Sequence, residues 1–101
     1  MDNQDKLQTL LEGLLGSRNV YYQPPTSLLM KYPAIRYSKD DIESKYANNK
    51  SYNRRNRYEI IVIDELPDNK VIQEILDLPL SSFNRHYTQD GLNHDVITLY
   101  Y

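Results

Sequence analysis

This sequence has two histidines and no cysteine, and few groups of its side chains are arranged so that they could catalyse a reaction or bind a metal. His86 and His94 lie near Asp90 and Asp95, and the Asp-Gly pair at 90–91 predicts a tight hairpin turn that brings them together. These four groups could be drawn as a metal site. However, structural zinc needs four ligands in fixed geometry, and this chain has no cysteine to contribute a thiolate. We therefore expect no metal site, and we expect the histidines to be exposed or hydrogen-bonded.

The other candidates for catalysis are weaker. Asp40 and Asp41 are adjacent, so on a strand their carboxylates would point to opposite faces and could not act as a pair. The three glycines are Gly13, Gly16 and Gly91, and they do not form a phosphate-binding loop. No nucleophile, base and orienting group can be combined. We expect a protein that is not an enzyme and uses no cofactor.

A basic segment stands out although the net charge of the chain is −2. Residues 45–57 contain five basic residues and no acidic ones: Lys45, Lys50, Arg54, Arg55 and Arg57, interleaved with Tyr46 and Tyr52. Such a segment can follow a phosphate backbone while its tyrosines stack on bases. It can also dock on an acidic protein surface, or simply be solvated. Because a nucleic-acid-binding domain is usually basic overall, docking is the interpretation we favour.

The elements that position these residues follow from hydrophobic periodicity. A leucine stripe predicts a first helix that ends at Gly16, and its members are Leu7, Leu10, Leu11, Leu14 and Leu15. Strands are predicted over residues 19–23 and 34–38, separated by a connection that begins with Pro24 and Pro25. Residues 39–57 are predicted to form a long projecting hairpin, which we call the arm, with its turn at Asn48 and Asn49.

The second half of the chain predicts a central strand, a helix and a hairpin. Four consecutive β-branched residues, 60–63, indicate a strand covered on both faces. Residues 64–67 are predicted to start the second helix, with Pro67 near its first turn and Pro79 beyond its end. The buried stripe of this helix is Val71, Ile72, Ile75 and Leu76, and in the last strand Ile97 and Leu99 face inward while Val96 and Thr98 face outward.

Together these elements predict an α+β fold: a two-layer sandwich with a mostly antiparallel sheet and two helices, in the order α-β-β-β-α-β-β. The length of 101 residues fits a single domain over 1–101, with the arm at about 39–57. No apolar run approaches the ~20 residues of a membrane span. The start of the chain, residues 2–5, is acidic and lacks the order of a signal peptide.

Four pieces of the sequence, taken in order, resemble the tail-completion proteins of long-tailed bacteriophages, also called tail terminator or tail-to-head joining proteins. The pieces are residues 20–25 (VYYQPP), 30–35 (MKYPAI), 57–64 (RYEIIVID), and the pair 83–87 (FNRHY) with 92–96 (LNHDV). The resemblance covers about residue 18 to the end of the chain. The pieces are strand patterns and not catalytic signatures.

This resemblance implies a structural virion protein that caps the tail tube and joins it to the head connector, without a cofactor or a reaction. It implies a six-fold homo-oligomeric ring at the tail–head interface of the virion, assembled in the host cytoplasm. Its partners would be the tail tube protein and a head connector or head-completion protein, with contact to genomic DNA passing through and none to a membrane. The alternatives are a head-completion or minor capsid protein at the same joint, and a small nucleic-acid-binding module that uses the arm.

A ring needs two different complementary surfaces on each subunit, because its contacts run head to tail. The residues suggest the arm as one surface and the final strand as the other. Tyr100 and Tyr101 should occupy opposite faces of that strand, so one must face away from the helix-covered core. The predicted interface residues are Lys45, Tyr46, Lys50, Tyr52, Arg54, Arg55, Arg57, Tyr100 and Tyr101.

Overall fold

A five-stranded sheet with both helices packed on one face organises the chain. The computed structural model describes residues 3–47 and 50–101, and the side chains of Asn3 and of residues 41–55 lie outside that description. The elements in chain order are α1 (Asn3–Leu15), β1 (Val20–Tyr22), β2 (Ala34–Ala47), β3 (Lys50–Asp64), α2 (Lys70–Leu76), β4 (Ser81–Gln89) and β5 (Leu92–Tyr100). The strands lie in the spatial order β1-β2-β3-β5-β4, and β1 and β2 alone pair in parallel. The predicted α+β class and element order are confirmed.

Helix α1 forms where the leucine stripe predicts it. Leu7 and Leu11 are fully buried, and the other three leucines of the stripe pack half-buried against the same cluster. Gly16 adopts a φ of +80°, and its amide donates to the carbonyl of Glu12 at 2.9 Å. The left-handed conformation at this position ends the helix and favours glycine.

Helix α2 begins later than predicted. Asp64 is the last residue of β3, residues 65–68 form a loop, and the helix starts at Lys70 with Asn69 as its N-cap. The Asn69 side chain accepts a hydrogen bond from the amide of Val71 at 2.9 Å and donates to the Asp64 carboxylate at 2.7 Å. Because Asp64 also accepts from the Leu66 amide, its side chain stabilises a turn at the end of β3 and does not cap a helix at that point.

Strand β3 is covered on both faces, as its β-branched run predicts. Tyr58, Ile60 and Val62 lie in the main core under the helices, together with Ile97 and Leu99 of β5. Ile61 and Ile63 lie on the opposite face with Val96 and are also buried. The cover on that second face comes from Met30, Tyr87 and Leu92, so the connection between β1 and β2 packs across the sheet.

Strands β2 and β3 extend well beyond the rest of the sheet. Strand β1 pairs with β2 at residues 35–37, and β5 pairs with β3 at residues 57–64. Residues 42–47 and 50–56 pair only with each other among the described strands. The predicted turn at Asn48 and Asn49 lies outside the described residues. The Cα atoms span 51 Å along the long axis of the molecule and 23 Å across it.

The two borders of the sheet differ. On one side, β1 is three residues long and is followed closely by Pro24 and Pro25. On the other side, β4 is nine residues long and mostly exposed, with a register shift between Phe83 and Arg85. The predicted hairpin joins β4 to β5, and its turn residues Asp90 and Gly91 have φ values of +54° and +75°. Two consecutive positive φ values are typical of the tight turns that follow the twist of paired strands.

Candidate assembly surfaces

The arm is a two-stranded ribbon whose backbone register is defined. Ser44 pairs with Arg54, and Lys45 pairs with Asn53, with a further register shift between Lys45 and Tyr46. Lys45, Tyr46, Lys50, Tyr52, Arg54 and Arg55 all lie on this ribbon, but their side chains are outside the described part. Their role in an interface therefore stays a prediction. The strand register shows only that the backbone of these residues lies beyond the part of the sheet that pairs with β1 and β5.

Arg57 is the one predicted interface residue of the arm whose side chain the structure describes. Its Nε donates to the Asp40 carboxylate at 2.9 Å, and both side chains are about one-third exposed. Asp40 lies at a register shift between Lys39 and Asp41. Exposed ion pairs of this kind contribute about 0–1 kcal/mol to stability. The main effect of this pair is therefore to join β2 to β3 where the arm leaves the sheet.

The two final tyrosines are half-buried and lie in different surroundings. Tyr101 packs against the main core, and its amide donates to the carbonyl of Asn56 at 2.9 Å. Tyr100 pairs with Arg57 across the sheet, and strand alternation with the inward Leu99 places it on the face away from the helices. Of the two, Tyr100 is thus better placed to meet another molecule.

The two histidines lie on opposite faces of the β4–β5 hairpin. His86 is opposite Asp95, and the Nδ1 of His86 lies 2.9 Å from the Asp95 carboxylate. His94 is opposite Tyr87, and the two rings stack with centroids 4.6 Å apart. The guanidinium of Arg85 lies over the Tyr87 ring, 5.5 Å from its centre. Within residues 3–47 and 50–101, no three potential metal ligands cluster.

An acidic surface that the sequence did not indicate lies at the last residue of β3 and in the loop that follows it. We call residues 64–68, Asp-Glu-Leu-Pro-Asp, the acidic loop. Glu65 and Asp68 are exposed, and Leu66 between them is 70% exposed. Residues 64–67 were predicted to start a helix. They instead lead into a loop in which acidic side chains and an apolar side chain are exposed together.

An open groove of about 420 Å³ adjoins the acidic loop between α2 and β4. Its lining includes Asp68, Ile72 and Gln73 on one side and Phe83 and Asp95 on the other. Phe83 is 47% exposed, although it is the cross-strand partner of the buried Ile97. Asp68 is exposed and Asp95 is buried against His86, so the groove combines a half-exposed aromatic ring with one free-standing carboxylate at its rim.

Below α1, Tyr37 forms a buried polar network. Its hydroxyl donates to the Gln8 side chain at 2.6 Å and accepts from the Gln4 side chain at 2.8 Å. Gln8 also donates to the carbonyl of Val20, which ties the helix to the short strand β1. Burial raises the pKa of Tyr37 to about 12, and the hydrogen bond from Gln4 opposes that rise. The network fixes α1 on the sheet and carries no reactive group.

No protein-family model matches this chain, and no curated protein sequence matches it significantly. Among the helices that the structure describes, neither has the length and apolar character needed to cross a bilayer.

Proposed function

We propose that this protein is a structural component of a phage virion that caps the tail tube and joins it to the head connector, acting as a six-membered ring. The observation that carries the proposal is the sequence resemblance to tail-completion proteins over residues 18–101, together with the way its pieces pack in the fold.

Three of the four pieces of the resemblance meet in one cluster, and the prolines of the first piece lie next to it. Met30 of the second piece, Ile61 and Ile63 of the third, and Tyr87 and Val96 of the fourth form one cluster on the face opposite the helices. The first piece ends in the prolines that open the connection across this face. Sequence pieces that build one side of a sheet together are more informative than isolated strand patterns, and this supports the proposal.

The shape of the subunit also supports a ring. Residues 42–47 and 50–56 extend past the sheet, and a two-stranded ribbon with a basic sequence cannot bury its own surface. A closed ring needs a surface on each subunit that projects and a different surface that receives it. The arm provides a projecting surface without any change in the fold.

The first test is charge reversal on the arm. Phage carrying Arg54→Glu with Arg55→Glu should assemble heads and tails that fail to join, while the purified variant melts within a few degrees of the wild type. Arg18→Glu with Arg36→Glu is the matched control, because it makes the same change in charge at exposed positions off the arm. Normal yields of infectious particles from the arm variant would contradict the docking role of the arm.

The second test mixes purified protein with isolated tail tubes or with heads and examines both by electron microscopy. Rings or capped tubes would support the proposal. Binding to heads alone would instead favour a head-completion or minor capsid protein. Retention on DNA that weakens steeply with salt, without capping, would favour a nucleic-acid-binding module, because neutralising phosphates releases counterions.

A further inference from the structure

The long molecule carries opposite charges at its two ends. The arm, residues 39–57, has six basic and three acidic residues, and because the three acids lie in its first five residues, residues 45–57 have five basic residues and no acidic ones. The acidic loop follows β3, where Asp64 pairs with Asn93 beside the turn at Asp90. Lys70 is the first residue of α2 and Lys31 lies in the β1–β2 connection, so the acidic end is mixed but carries more negative than positive charge.

The two ends cannot meet within one copy. Strand β3 runs from the arm to the acidic loop, and the part of it that pairs with β5 spans Arg57 to Asp64. At about 3.3 Å per residue this part is roughly 23 Å long, and the arm continues in the opposite direction from its start. The total Cα span of 51 Å agrees with this arrangement. Contact between the ends therefore requires a second molecule.

The acidic end is suited to receive the arm of another molecule. Neither Glu65 nor Asp68 forms an ion pair with any described residue. Leu66 is exposed between them, and the groove beside Asp68 contains the half-exposed ring of Phe83. Arginine can bind a carboxylate through two parallel hydrogen bonds, and tyrosine can pack on apolar surface while its hydroxyl stays hydrated. The arm supplies both residue types.

We infer that the arm of one copy docks on the acidic loop and adjoining groove of a second copy, with the basic residues of the arm against Glu65 and Asp68. This contact rests on the proposed ring, since it is the head-to-tail contact that the ring would use. It joins different surfaces on the two partners, so repetition produces a closed ring or an open chain according to the angle between neighbours. It also assigns the occupant of the α2–β4 groove to a second copy of this chain.

Because the chain contains no cysteine, disulfide crosslinking gives a direct test. One chain carries Asn53→Cys on the arm and another carries Pro67→Cys in the acidic loop, which leaves every charge in place. Mixed under a mild oxidant, they should form a heterodimer faster than either variant crosslinks to itself. A chain with both substitutions should form a ladder of oligomers. Ser17→Cys, an exposed position in the turn after α1, replaces Pro67→Cys in the control.

Charge variants test the electrostatic basis of the contact. Glu65→Lys with Asp68→Asn in the Pro67→Cys chain should slow crosslinking roughly tenfold. Asparagine is chosen at position 68 because Asp68 has a φ of +61°, which asparagine tolerates. Arg54→Glu with Arg55→Glu in the Asn53→Cys chain should slow it similarly. Combining the two altered chains should restore much of the rate, which no general loss of folding could do.

The outcomes separate this contact from the proposed function. Crosslinking no faster than with the Ser17→Cys control, both in solution and on capped tubes, would overturn the docking contact. If such tubes were nevertheless capped, the proposed function would stand and the arm would have another receptor. If the specific crosslink formed but no tube was ever capped, the contact would hold and the proposed function would be wrong.

Discussion

The buried hydroxyl of Tyr37 allows a quantitative test of the packing of α1 on the sheet. The Tyr37→Phe variant keeps the ring, which is 1% exposed, and removes only the oxygen that joins Gln4 to Gln8. Each hydrogen bond of this kind contributes about 1 kcal/mol, so we expect the variant to lose about 1–2 kcal/mol of unfolding free energy at neutral pH.

The pH dependence of this loss has a definite sign. Burial raises the pKa of Tyr37 from 10.0 to about 12, so the fold favours the neutral phenol. The stabilisation is fully present below pH 10, the pKa of the unfolded chain, and declines as the pH rises toward about 12. The decline approaches roughly 1.4 kcal/mol per pH unit within that window.

The assay is urea unfolding followed by far-ultraviolet circular dichroism between pH 8 and pH 11.5, which avoids signals from tyrosine ionisation. Many tyrosines titrate in this range, so the informative quantity is the difference between wild type and Tyr37→Phe at each pH. That difference should be constant up to about pH 10 and then shrink, because only the wild type loses the Tyr37 contribution. Tyr32→Phe, at an exposed tyrosine, is the control and should change stability by less than about 0.5 kcal/mol.

A difference that stays constant to pH 11.5 would refute the reasoning, because it would mean that Tyr37 ionises equally easily in the folded and unfolded chains. An unchanged stability at neutral pH would refute the hydrogen-bond network itself.

Three further predictions concern the body of the fold and can be checked by thermal unfolding. Ile61→Asp should abolish cooperative unfolding, because it places a charge at a site that is 4% exposed, whereas Ile61→Val should cost only about 1 kcal/mol; a soluble, cooperatively melting Ile61→Asp protein would contradict the burial of β3. Asn69→Ala should cost about 1 kcal/mol by removing the N-cap of α2, and no change would mean that the helix does not depend on that bond. Gly91→Ala should destabilise the final hairpin by about 1 kcal/mol, because Gly91 has a φ of +75°; a higher melting temperature would contradict the turn.

The sequence predicted those parts of the fold that depend on local patterns. Three local patterns each favour a single structure: the leucine stripe of α1, the β-branched run in β3 and the Asp-Gly turn. All three predictions are confirmed. The start of α2 was predicted wrongly, because Asp64 and Pro67 are equally suited to a helix start and to a loop. The choice depends on the hydrogen bond between Asp64 and Asn69, which is a contact across five residues.

The cover on the second face of the sheet could not be predicted in the same way. In the sequence, Met30 belongs to an apolar patch in a predicted loop, and its neighbours in the sequence do not indicate that it packs on Ile61 and Ile63. The acidic loop was missed for a related reason: exposure of Leu66 depends on where the chain turns after β3, not on its residue type. The polarity of residues 39–57 predicted the arm, but it did not predict which residues of β2 and β3 pair with each other.

The unequal borders of the sheet limit how copies of this protein can aggregate. A further strand can add along β4, but β1 is short and the prolines after it lack the amide hydrogens needed to continue pairing. Two molecules joined through β4 would therefore expose only their β1 edges, which are too short to pair with a further strand. Fibre growth by strand addition through the body would therefore end at a dimer.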